Sequence, residues 1–189
     1  MIKLYVIRTG ETIFEAQDRV ESAGSAPLSP RGVQEIQAFT AELLGEKIDA
    51  IYASDGEAEK QTAELLSKPL KVKVRTVAGL REIDYGLWQG LTMTEIRRRQ
   101  PRIYRQWTDA PTTVCPPGGE TLEDVHRRVS KAVSSILKRH KGNKPLMVLR
   151  PVAMGLLRGM LENRSIESLW ERVGGEFTWC SYETEQIKL

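Results

Sequence analysis

Leu4-Tyr5-Val6-Ile7-Arg8-Thr9-Gly10-Glu11-Thr12 sets the reading of the chain: an unbroken apolar run with β-branched members gives way abruptly to a charge, a hydroxyl and a glycine. A run that is apolar at successive positions suits a strand covered on both faces, and Gly10 marks the turn that ends it. An arginine at the carboxyl end of such a strand can hold an anion between its planar fork and nearby backbone N–H groups. Taken alone, the fragment fits an ordinary strand exit with Arg8 facing solvent better than an anion site. The segments that follow must decide.

Working outward, Ser29-Pro30 opens a helical pattern through Val33, Ile36, Leu43 and Leu44, with Ser29 as N-cap, Pro30 in the first turn and Gly45 beyond the end. A second strand is expected over Ile48 to Ala53, a helix over Ala58 to Leu66 and an extended segment over Val72 to Val77. Another helix starts near Thr92, and the longest amphipathic one spans Thr121 to Lys138. Leu146 to Leu149 reads as a strand leading to a helix from Ala153 to Leu161, with closing strands over Phe177 to Tyr182 and Glu185 to Leu189. Strands alternating with helices of this length predict a three-layer α/β/α sandwich with a largely parallel central sheet. Ligands in such folds bind beyond the carboxyl ends of the strands, which directs attention to 8–12, 54–58 and 150–153.

The 189 residues, 40% hydrophobic and 28% charged, suit one compact unit, and a single domain over 1–189 is expected. No apolar stretch approaches the roughly 18 residues of a membrane helix, and the first residues do not read as a secretory signal, so a cytoplasmic protein with no membrane partner is the expectation. The net charge of +3 is too small to call for nucleic acid. Five arginines against one glutamate between Glu95 and Arg105 give a local surplus of four positive charges, but Arg97, Arg98 and Arg99 fan around a helix and Pro101 interrupts the pattern, so a solvated face is the favoured explanation. Cys115 and Cys180 belong to no Cys/His cluster, which argues against a structural metal.

The first block, followed by Arg19, Pro27-Leu28-Ser29 and Arg31-Gly32, resembles the opening of the histidine phosphatase superfamily, the phosphoglycerate mutase-like proteins. The similarity continues through Ser54, Gln61-Thr62-Ala63, Leu80 to Leu91, Gly118-Gly119-Glu120-Thr121 and the junction at Arg150-Pro151. The resemblance implies a fold of the phosphoglycerate mutase type and no metal or organic cofactor. It also implies a reaction in which one histidine attacks phosphorus, two arginines and a second histidine hold the phosphoryl oxygens, and an acid protonates the leaving oxygen.

Carried over position by position, that machinery is mostly missing. Arg8 matches the first arginine and Glu82 the acid, but the nucleophile's place is Thr9, the second arginine's is Ala58 and the second histidine's is Pro151. Threonine needs an adjacent base to act as a nucleophile, and proline offers neither an ionisable group nor a backbone donor. Two positions where the family often has neutral Asn and Gln are Glu15 and Glu21. A carboxylate there repels phosphate by about 4 kcal/mol per charge pair at ~4 Å and an effective dielectric near 20. His126 and His140 fall outside every motif and read as surface or helix-side residues. What remains is an anion pocket lined by Arg8, Ser54 and Arg150, although Arg150 is better read as pointing away or pairing with Glu82 or Glu11, and a loop from Asp109 to Thr121 lying over it.

The expected function is a pseudoenzyme with a binding, scaffold or regulatory role, whose partner is a second copy, an active paralogue or a small anion. Aromatic residues in 104–107 and 170–179 either anchor an interface or pack the core. The alternative is a hydrolase with an altered mechanism, in which Glu82 acts on water or Thr9 accepts the phosphoryl group.

Overall fold

Ile2–Arg8 forms strand β1 in a computed structural model that describes every residue except 23, 25, 141, 142, 175, 176 and 185–189. Along β1, Leu4 and Val6 point into one apolar cluster while Tyr5 and Ile7 point into another, so the strand is covered on both faces, as its unbroken hydrophobicity requires. The remaining strands are β2 (Ala50–Ala53), β3 (Val74–Thr76), β4 (Pro145–Leu149) and β5 (Trp179–Thr184). They are ordered β3-β2-β4-β1-β5, with β5 antiparallel to β1 and the other neighbours parallel. The largely parallel α/β sandwich is therefore present.

Helices α1 (Pro30–Leu43) and α2 (Glu57–Leu70) cover one face through Ile36, Phe39, Ala63 and Leu66. Helices α5 (Leu122–Lys138) and α6 (Pro151–Leu161) cover the other through Val125, Val129 and Leu157, joined by the short helices α3 (Met93–Arg99) and α4 (Pro101–Asp109) through Ile96 and Trp107. Local chemistry fixes the helix starts. Ser29 Oγ accepts the Gly32 N–H at 3.0 Å, Thr121 caps α5, and Thr92 and Glu95 form a reciprocal capping box at α3. The loop after β1 packs directly on the first turn of α1: a Cβ at Gly10 would lie 2.4 Å from the Gly32 carbonyl oxygen, and one at Gly32 2.2 Å from that of Glu11.

Several boundaries differ from the sequence reading. Helix α6 begins at Pro151 instead of Ala153, because proline at the first helical position loses no hydrogen bond. Helix α2 runs on to Leu70, carrying Pro69 in its last turn, and ends where Lys71 turns left-handed at φ 55°. Strand β2 starts at Ala50, and β5 is displaced to Trp179–Thr184; the strand expected over Glu185 to Leu189 lies outside the described residues. Among the described residues no helix is long and apolar enough to cross a membrane.

Candidate functional site

Strands β1 and β4 are parallel neighbours with Arg8 opposite Leu149, so Arg8-Thr9 and Arg150-Pro151 leave the sheet side by side. The Thr9 N–H donates to the Leu149 carbonyl at 2.9 Å, tying the two strand tips together. Both arginines are buried, with exposures of 5% for Arg8 and 3% for Arg150. Buried guanidinium groups need anions, and the chain supplies them itself. Glu15 Oε1 lies 2.9 Å from Arg8 Nη2 and 3.5 Å from Arg150 Nη2, while its other oxygen accepts the Thr12 N–H at 3.0 Å. Arg150 Nη1 reaches Glu21 Oε2 at 3.2 Å, and Glu21 Oε1 accepts the Ala26 N–H.

Two further carboxylates close the set. The Ser54 hydroxyl donates to Glu59 Oε1 at 2.9 Å, and both residues are buried. Glu82 accepts three amide N–H groups, those of Ile83 and Ala153 on Oε1 and that of Val152 on Oε2, at 2.8 to 3.1 Å. Val152 and Ala153 stand in the first turn of α6, so Glu82 fills the anion site that a helix N-terminus offers. Pro151, at the first position of that helix, contributes no donor. Ala58 is buried in the first turn of α2 and brings no charge.

The electrostatics follow from burial. Two guanidinium groups share the region with four glutamates, more carboxyl groups than cations. Burial pushes the Glu82 carboxyl above its ordinary value despite Arg150 and the three amides, and it does the same to Glu21 despite Arg150 and the Ala26 amide. Burial alone would lower the Arg150 value, but Glu15, Glu21, Glu59 and Glu82 together outweigh it and raise it. The Thr9 hydroxyl is buried and has no hydrogen-bond partner among the described residues, so none of them stands ready to take its proton.

The structure corrects two expectations. Arg150 pairs with Glu15 and Glu21, not with Glu82 or Glu11; Glu82 is committed to the amides of α6, and Glu11 accepts the Ser29 hydroxyl and lies beside Arg31. His140 is no surface residue. It is buried with Nδ1 2.6 Å from Asp49 and Nε2 2.6 Å from the Tyr52 hydroxyl, both ring nitrogens satisfied. Asp49 precedes β2 and accepts the Lys144 N–H just before β4, so this cluster lies at the amino ends of the strands, away from Arg8. His126 sits half-buried on α5. Glu59 was missed by the sequence reading, although its position three residues after the N-cap of α2, within reach of Ser54, was a usable signal.

A cleft of about 500 Å³ lies beside the buried charges, lined among others by Ser22, Arg81, Glu82, Asp84, Glu120 and Arg128. Its cations are already engaged: Arg81 pairs with Asp55, and Arg128 forms a two-pronged contact with Glu120 at 3.0 and 2.8 Å. The segment before α5 runs along the rim of this cleft, where Glu120 N–H donates to the Asp84 carbonyl and Leu87 N–H to that of Pro117. Of the aromatic residues considered as interface anchors, Trp107 is fully buried among Trp88, Tyr85 and Trp170, whereas Trp179 is 39% exposed.

The profile of the histidine phosphatase superfamily (branch 1) matches residues 4–188, nearly the whole chain. The chain belongs to this superfamily. Phosphoserine phosphatase 1 of Hydrogenobacter thermophilus is 28% identical over 170 residues, covering 90% of this chain and 81% of that protein. The probable phosphoglycerate mutase GpmB of Salmonella choleraesuis is 27% identical over 83% of this chain and 73% of its own. Among solved structures, Bacillus stearothermophilus YhfR superposes with a TM-score of 0.88 and 30% identity, over 95% of this chain and 90% of that one. Members named as phosphatases and mutases thus share this fold along most of its length.

Proposed function

We propose that this superfamily member carries out no phosphoryl transfer and serves a binding, scaffold or regulatory role. The observation that carries the reading is the bridge at Glu15 Oε1: a carboxylate joins Arg8 to Arg150, where a phosphoryl group would need those guanidinium groups free. A dianionic phosphate entering this region meets the Glu15 carboxylate between the two guanidinium groups, and a unit-charge pair at ~4 Å costs about 4 kcal/mol at an effective dielectric near 20. A nucleophile is also wanting. Losing one from a cooperating set costs on the order of 10⁶ in turnover, and the lost charge-stabilising groups add to that.

Hydrolysis by Glu82 or Thr9 is the less supported alternative. Three hydrogen bonds from amide N–H groups engage both oxygens of Glu82, and among the described residues the Thr9 hydroxyl has no hydrogen-bonded base. The test is an assay of the purified protein with p-nitrophenyl phosphate. The expected rate is indistinguishable from that of the Arg8→Ala variant; turnover that disappears in Arg8→Ala would overturn the proposal.

A further inference from the structure

We infer that the solvent side of α3 and α4 is a docking ridge for a short acidic segment of a partner protein. Both helices are anchored from beneath, α3 by Ile96 and α4 by Trp107, each buried to within 2% of complete. At about 100° per residue, Arg98 stands about 160° around the helix from Ile96, while Arg105 and Arg102 stand about 160° and 140° around from Trp107. The fan of arginines that the sequence suggested is real for 97–99, but Arg98 on α3 and Arg102 and Arg105 on α4 each stand on the side of their helix away from its buried anchor. Arg97, Arg98, Arg102 and Arg105 are all exposed, and among the described residues none has an acidic partner. Arg99 alone is paired, 3.9 Å from Glu95.

Charge concentration singles out this face. The segment Glu95 to Arg105 carries a surplus of four positive charges in a chain whose total is +3, so the remainder is slightly negative. Every cation in the segment is arginine and none is lysine. Arginine's rigid fork matches a carboxylate with two parallel hydrogen bonds, which a lysine ammonium does not. Helix α3 has 7 residues and α4 has 9, so at 1.5 Å per residue they are roughly 10 and 14 Å long and meet at the non-helical Gln100, and a peptide of a few extended residues spans either one. A short acidic segment ends where the positive charge ends. The rest of the chain carries a net charge of −1 and so adds no overall attraction for the longer polyanion of a nucleic-acid duplex, which favours the peptide. Met93, partly exposed one turn before Arg97, offers an apolar contact of the adaptable kind beside the charges.

The inference stands whether or not the buried pocket hydrolyses anything. The test is fluorescence anisotropy with a labelled twelve-residue Glu/Asp-rich peptide, its Gln/Asn counterpart, and a DNA duplex, titrated with the purified full chain over a salt series. The acidic peptide is expected to bind with salt-dependent affinity, the neutral peptide not at all, and the duplex more weakly than the acidic peptide. Arg98→Gln with Arg102→Gln and Arg105→Gln should weaken the acidic peptide at least tenfold, and replacing the same three residues with Lys should cost a smaller factor. All three positions are exposed, and circular dichroism confirms that the variants are folded. An acidic peptide that fails to bind, or that binds the triple Gln variant equally well, overturns the inference; tighter binding of the duplex assigns the ridge to nucleic acid and overturns it too.

Discussion

At Glu15 two guanidinium groups converge on a single oxygen, and at Glu82 three amide N–H groups converge on one carboxylate. Each carboxylate satisfies donors that would otherwise be buried without a partner. Their burial has a measurable consequence at Glu82. Its folded pKa lies above the ordinary 4.5, so the stability it contributes is fully present below about pH 4.5 and is lost as pH rises through the elevated value. Glu46 and Asp55, held down at about 2 by Lys144 and Arg81, act in the opposite sense and are saturated above pH 5. Urea denaturation between pH 5 and 8 should therefore show stability falling with pH, and Glu82→Gln should flatten that slope. Parallel slopes for the two proteins would refute the account of Glu82.

Thr9 and Pro151 could be placed from the sequence at strand tips, because each follows an apolar run that reads plainly as a strand. The partners of Arg150 could not. An arginine side chain reaches far enough that its choice among Glu11, Glu15, Glu21 and Glu82 depends on the paths of loops remote in sequence. His140 escaped for a similar reason: the Asp49 and Tyr52 that satisfy it come from another part of the chain.

Among the elements, the junction between β1 and α1 carries the tightest constraint. The apolar period and the Ser29-Pro30 start made both elements legible, and the alternation of strand and helix gave the layer order. Nothing in the sequence showed that Gly10 and Gly32 meet back to back, since a glycine reads equally as a turn, a bulge or a close contact. Because a Cβ at Gly32 would lie 2.2 Å from the Glu11 carbonyl oxygen, Gly32→Ala must shift backbone. We expect a loss of about 2 kcal/mol or more, seen as a fall in Tm of roughly 4–8 °C. An unchanged Tm would mean that the junction yields freely. The 3-10 turns and the boundaries of β2 and α2 were less legible, because tertiary packing and the left-handed Lys71 set them more than local propensity does.

Across the whole molecule, charge is separated by function. Glutamates gather around two buried arginines at the carboxyl ends of the sheet, while exposed arginines gather on α3 and α4. A fold shared with proteins named as phosphatases and mutases is retained, and its two buried strand-tip arginines are occupied from within by Glu15 and Glu21. That occupancy is tested most directly by calorimetric titration with inorganic phosphate. The wild-type chain should give no saturable heat up to about 10 mM, weaker than about −3 kcal/mol of binding, and the combined Glu15→Asn and Glu21→Gln variant should bind at least tenfold more tightly. Sub-millimolar binding to the wild type that Arg8→Ala abolishes would contradict the account.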